Sequence, residues 1–196
     1  MYLIFDCSGS EKVKDYKIPF SNYFSWPKVV HLSWIVLNSE FKPMEDFDCI
    51  LTGEGRTISE DAAKFAKIDP EDIEKKGIDV EKALEAFNKS VEKVEYVFAH
   101  NLNSNENLLA AEFMRNTMDI PMFKKERFCL MQEGTYFCKL PSKTGGYKWP
   151  TLPELHAACF HTTYTPANNA RADVIAAARC FIKLMKSGKL EDLFED

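Results

Sequence analysis

Tyr2-Leu3-Ile4-Phe5-Asp6-Cys7-Ser8 is the stretch that decides the fold. A short apolar run ends on a carboxylate and two small residues. That pattern suits a strand covered on both faces, which delivers one carboxylate at its end. Two later segments combine with it. His100-Asn101-Leu102-Asn103-Ser104-Asn105 follows the apolar run Tyr96-Val97-Phe98-Ala99. Asn168-Asn169-Ala170-Arg171-Ala172-Asp173 opens a long helical pattern over residues 170–187. A strand end, a strand-to-helix turn and a helix start are the places where polar side chains converge in an α/β sheet.

The rest of the chain fills in around these three blocks. Val29 to Leu37 is β-rich and partly alternating, and residues 46–52 pair with it as a hairpin after the turn Asn38-Ser39-Glu40. Gly53-Glu54-Gly55 closes that strand. Ser59 followed by Glu60 and Asp61 marks a helix start, and Asp69-Pro70-Glu71-Asp72 repeats the signal. Val80, Leu84, Phe87, Val91 and Val94 repeat at helical spacing over residues 79–93. A helix over 105–118, a strand over 127–131, a loop over 140–151 and a helix over 152–160 complete the order. The acidic tail 189–196 reads as frayed. The order predicts a mixed α/β sheet of five strands, with an antiparallel meander first and helices flanking it.

Composition limits the function classes. The chain has 196 residues, 45% hydrophobic, which is enough for one core, so residues 1–196 read as one domain. The net charge of −5, from 25 basic and 30 acidic side chains, gives no general attraction to nucleic acid but permits a local basic strip. No apolar stretch approaches the ~20 residues that span a bilayer, and Asp6 interrupts any leader, so a cytoplasmic protein without membrane partners is expected. The six cysteines, among them Cys7, lack paired metal-ligand spacing and read as reduced thiols.

The three blocks resemble those of the DEDDh 3′–5′ exonucleases, the group of the proofreading exonuclease subunit and RNase T. The likeness runs through nearly the whole chain. It includes Trp26-Pro27-Lys28-Val29-Val30-His31-Leu32-Ser33-Trp34, Tyr147-Lys148-Trp149-Pro150 and Leu152-Pro153-Glu154-Leu155. The resemblance implies an RNase H-like exonuclease fold and hydrolysis of phosphodiesters by two Mg²⁺ about 3.5–4 Å apart. Several carboxylates and a base near neutral pKa must then converge. In that family the blocks supply four carboxylates and one histidine. Here Asp6 and Asp173 match, while Ser8, Asn105 and Asn168 stand where the family has Glu, Asp and His.

The losses predict a catalytically impaired exonuclease-like protein, kept for binding nucleic acid or a protein partner. Asp6 and Asp173 would hold one weakly bound Mg²⁺ or Mn²⁺ at most. Loss of the base alone costs ~10²–10⁴ in rate. The alternative is an active 3′–5′ exonuclease with a one-metal or Mn²⁺-dependent site, with Glu11, Glu106 or His100 compensating. A third reading, suggested by the acidic charge, removes the protein from nucleic acids altogether. His100, Asn101, Lys143, Lys148 and Trp149 are the candidate nucleic-acid contacts, since lysines interleaved with aromatics suit phosphates and stacked bases. Single-stranded nucleic acid or its 3′ end, a protein partner and a second copy of the chain are the partners this reading allows. His31, His156 and His161 read as structural or surface residues.

Overall fold

The computed structural model describes residues 1–53 and 55–194. Strand β1 (Tyr2–Gly9) lies between β2 (Val29–Leu37), antiparallel to it, and β5 (Tyr96–Ala99), parallel to it. The sheet order is β4-β3-β2-β1-β5-β6, with β3 at Pro43–Thr52, β4 at Ile78–Asp79 and β6 at Glu126–Cys129. It is the expected mixed sheet opened by a meander, with six strands rather than five. The added strand, β4, is two residues long and pairs parallel to the end of β3. No alternation can announce an element that short.

Side-chain alternation along β1 builds both layers. Leu3, Phe5 and Cys7 join one apolar layer with Leu32, Trp34 and Val97, against α3 (Val80–Glu92) and α4 (Leu102–Arg115). Ile4 points the other way, with Ile35 and Phe98, against α7 (Leu152–Phe160) and α8 (Ala170–Lys186). Every residue of β2 is buried because helices cover both faces. Asp6, two positions after Ile4, therefore faces the α8 layer.

Several boundaries differ from the sequence reading: β1 runs past Asp6 to Gly9, and β3 begins at Pro43 rather than 46. The helix expected over 105–118 begins at Leu102 and ends at Arg115. The Asn-rich opening hides its start, and Asn101 takes the left-handed φ of 58° that asparagine tolerates. The strand expected over 127–131 gives way at Leu130 to the short helix α5 (Leu130–Glu133), followed by α6 (Thr135–Cys138). The tail is not frayed through residue 194. Leu190 is buried, and Phe194 packs its ring edge on Tyr96 at 4.8 Å. Glu195, Asp196 and the Glu54 turn position lie outside the described residues. No helix among the described residues is long and apolar enough to cross a membrane.

A charged knot that the sequence did not announce holds α4 to the sheet. Glu112 on α4 is fully buried and accepts from Arg56 Nη2 (2.8 Å), Arg115 Nη1 (2.7 Å) and the Val29 N–H (2.8 Å). Burial pushes its carboxyl up, but the hydrogen bond and charge of Arg56, with Arg115 and Val29, outweigh this and hold it below the usual range. Its stabilising contribution is therefore present above the ordinary glutamate pKa and fades as pH falls through the lowered value. Glu112→Ala leaves two guanidinium groups without their carboxylate, Arg56 fully buried. It should cost about 3–5 kcal/mol in urea unfolding, well beyond the loss for an exposed partner such as Glu60→Ala.

Candidate functional site

The parallel pairing of β1 and β5 brings their C-terminal ends to the same edge, where α4 and α8 also begin. Open α/β sheets place ligands at such an edge. Asp6 sits near the end of β1, His100 directly after β5, Asn105 in the first turns of α4 and Asp173 in the first turn of α8. The structure thus brings together four of the predicted site positions.

Asp6 retains some exposure as a residue, while its carboxyl group is enclosed. That burial raises its pKa well above the ordinary value. The charge of Asp173 adds to the rise, and a hydrogen bond from Asn105 opposes it. Asp173 is raised as well, chiefly by burial. It accepts from Tyr164 Oη at 2.7 Å and from the Asn168 N–H at 3.1 Å, and both bonds favour its ionised form. The N-terminus of α8 adds a favourable dipole. Tyr164 is pushed up in turn by burial, then by Asp173 and Asp6, so it remains a neutral donor.

Asn105 is buried and fully engaged. Its Oδ1 accepts the Cys7 N–H at 2.9 Å, and its Nδ2 donates to the His100 carbonyl at 2.9 Å. The carboxamide therefore clips β1 to the β5–α4 turn. The amide both donates and accepts here, which an ionised carboxylate cannot do. An aspartate could take the Cys7 N–H but would set a lone pair against the His100 carbonyl.

Ser8 and Asn168 adjoin the site without bringing a charge to it. Ser8 lies opposite His31 in the β1–β2 ladder and carries no ionisable group. Asn168 is exposed with φ 69°, and the site uses its backbone N–H. The neighbouring Asn169 caps α8 through the Ala172 N–H (3.3 Å) and reaches the Ala66 carbonyl (3.0 Å). The His100 ring interacts with the Pro150 carbonyl, and its Nδ1 is buried without a partner among the described residues. Burial drives its pKa down to about 4, leaving it neutral near pH 7.

The suggested compensating groups are engaged elsewhere. Glu106 pairs with Arg127 at 2.7 Å. Glu11 is exposed and pairs with Lys14 at 3.9 Å. The Cys7 thiol is buried and raised, which fits an inert side chain. His31 is buried against Asp48 at 2.7 Å, His156 is buried against the Thr162 carbonyl at 2.8 Å, and His161 is exposed.

Tyr164 is the residue that sequence reasoning missed. It lies in the irregular segment before α8, where no periodicity marks it, and its ring packs on His156 at 5.3 Å. Asn169 did carry a signal, as an asparagine directly before a helix.

Beside the site, the loop 140–151 is ordered by the Pro141–Tyr147 bridge and by the Lys148 N–H to Leu140 carbonyl bond at 2.9 Å. Gly145 and Gly146 turn it with φ of 95° and 70°, which suit glycine. Trp149 is 58% exposed, so it is available for stacking. Lys143 is exposed, whereas Lys148 pairs with Glu154 at 2.6 Å.

No group of three or more His, Cys, Asp or Glu that could hold a metal occurs among the described residues. Asp6 and Asp173, with Tyr164 already on Asp173, suit one hydrated cation far better than a two-metal centre.

The arrangement is an α/β sheet of the exonuclease type, with two carboxylates at the edge where α4 and α8 begin. No family model matches the chain, and no curated protein matches it. Solved structures do match. Escherichia coli exonuclease I in complex with a dA16 oligonucleotide superposes with a TM-score of 0.73 at 17% identity, over 98% of this chain and 42% of that one. The zinc-bound form of the E. coli ExoI–ssDNA complex gives 0.74, 17%, 98% and 42%. An ExoI/SSB-Ct complex gives 0.72, 15%, 98% and 43%. The likeness shows the RNase H-like exonuclease fold, and this chain spans less than half the length of those proteins.

Two substitutions test the site's electrostatics. Asn105→Asp removes a donor and adds a third carboxylate, so metal-free protein should lose about 1–3 kcal/mol. Millimolar Mn²⁺ should restore part of that loss, read as a melting shift. Asp6, whose folded pKa is raised, costs stability as pH climbs from the ordinary carboxylate range through the raised value. Asp6→Asn should therefore melt several degrees above wild type at mildly alkaline pH, at about 2–4 °C per kcal/mol. The gap should close on acidification.

Proposed function

We propose that residues 1–196 act as one exonuclease-like domain that holds single-stranded nucleic acid, or its 3′ end, and hydrolyses it poorly or not at all. The observation that carries this reading is the consumption of Asn105. A position that would bring an anion to the metals is here a neutral clip between β1 and the β5–α4 turn. Ser8 and Asn168 bring no charge either. His100 is neutral and tied to Pro150, so it is no substitute for the missing base. A rate loss of ~10²–10⁴ is expected from the base alone, and weakened metal affinity adds to it.

Binding rests on different residues. The loop carrying Lys143, Tyr147 and Trp149 is tethered to the site by the His100–Pro150 hydrogen bond. Its exposed aromatics and lysine suit stacking and phosphate contact. Lys148 contributes less than its sequence position suggests, because Glu154 holds it. The solved neighbours include complexes with single-stranded oligonucleotides and with an SSB C-terminal segment, which supports a nucleic-acid or protein partner. Asp6 and Asp173 are the residues that would hold a divalent cation, and Mg²⁺ or Mn²⁺ is the type their oxygens suit. Bound there, it would screen the two charges and attract a phosphate.

A second reading, an atypical active nuclease, draws on the same carboxylate pair. Both readings are tested with a 3′-labelled single-stranded oligonucleotide in Mg²⁺ and in Mn²⁺. Wild type, Asp6→Ala and Ser8→Glu/Asn105→Asp/Asn168→His are compared. The expected result is no shortening by wild type and measurable shortening by the triple variant. Shortening by wild type that disappears in Asp6→Ala would establish the active reading instead.

Tyr164→Phe separates the cation from catalysis. Removing the hydroxyl leaves Asp173 short of a donor, so Mn²⁺ should bind more tightly, by several-fold in calorimetric titration. Unchanged affinity would place the cation elsewhere.

A further inference from the structure

Past the end of β1 the chain forms a groove with features of a ligand site. Two adjoining hollows share Glu11, Phe24, Trp26 and Pro27. Lys12 and Lys14 line one of them, and Lys28 and Arg115 line the other. The groove is built firmly. Ser10 and Lys28 exchange a backbone bond at 2.7 Å and a side-chain bond at 3.1 Å, while Arg115 reaches the carbonyls of Tyr23 (2.8 Å) and Trp26 (3.0 Å).

Phe24 is 84% exposed, with its ring tilted against Tyr23 at 4.3 Å. Trp26 is 4% exposed, and its indole N–H is buried with no acceptor among the described residues. Lysines on the rim and an exposed aromatic ring together match a phosphodiester carrying a base.

We infer that the groove of Lys12, Lys14, Phe24 and Trp26 is a second contact for single-stranded nucleic acid, with a base stacked on Phe24 and a phosphate near Lys12 and Lys14. The inference rests on the nucleic-acid reading proposed above and deepens it. The geometry gives the spacing. Ser10 borders the groove four residues beyond Asp6, so the rise of a strand sets the two roughly 13 Å apart. A strand whose end lies at Asp6 and Asp173 could therefore run into the groove.

The test is fluorescence anisotropy of a 5′-labelled oligo-dT in EDTA, which removes any contribution from cleavage. Wild type is compared with Lys12→Glu/Lys14→Glu, Phe24→Ala and Lys143→Glu/Trp149→Ala, each checked by circular dichroism for intact folding. Phe24→Ala should weaken binding about 5- to 100-fold. The double lysine reversal should weaken it at least about tenfold and reduce the salt slope by ~0.7 for each phosphate no longer neutralised. Wild-type affinity in both groove variants, with weakening only in Lys143→Glu/Trp149→Ala, would overturn the groove and leave the nucleic-acid reading standing. No binding by wild type would overturn both. An acidic peptide that binds wild type and fails to bind the groove variants, where oligo-dT does not bind, would assign the groove to a protein partner and overturn the inference.

Discussion

The alternation of β1 is the constraint on which the rest of the structure depends. Odd positions Leu3, Phe5 and Cys7 belong to the layer under α3 and α4, and Ile4 belongs to the layer under α8. Asp6 continues the even series, so the strand that fills both cores also sets one carboxylate beside the start of α8. A slip of one residue would exchange the two sets, moving Leu3 and Phe5 to the layer under α8 and sending Asp6 into the layer under α3 and α4. The register must therefore be fixed more tightly than strand pairing alone requires. Two polar devices do this, and both reach across the sheet from α4. Asn105 clips the Cys7 N–H, and Glu112 holds the Val29 N–H together with Arg56 and Arg115.

Local pattern made most of the frame legible. The apolar run of β1, the amphipathic spacing of Val80, Leu84, Phe87 and Val91, and the capped start at Ser59 are signals within one element. The misses share a different cause. β4 is a two-residue edge strand fixed by its neighbour β3. The tail is ordered because Leu190 and Phe194 find partners distant in sequence. Glu112 reads as one more polar helix residue until Arg56, far upstream, is placed against it. Tyr164 has no local signature, and only the fold brings its hydroxyl to Asp173.

The candidate site was readable as positions but not as chemistry. The family resemblance of the three blocks grouped Asp6, Asn105 and Asp173 and implied that Asn105 stands where the family has Asp. It could not show that the amide has its own work. Oδ1 and Nδ2 both lie in hydrogen bonds that a carboxylate could only half reproduce. Nor could it show Lys148 spent on Glu154, His100 tied to Pro150, or Trp149 left in solvent.

These observations explain how the edge of the sheet tolerates its remaining charge. Two enclosed carboxylates near each other are unfavourable unless protons, cations or donors offset them. The fold supplies donors: Tyr164 Oη and the Asn168 N–H to Asp173, and the Asn105 amide to Asp6. All three donors are neutral and come from the protein. Each offsets part of the repulsion between the two carboxylates. A third carboxylate at position 105 would remove one donor and add one charge, moving the balance back toward a cation on two counts. The asparagine lets the sheet edge hold its shape with donors from the protein itself.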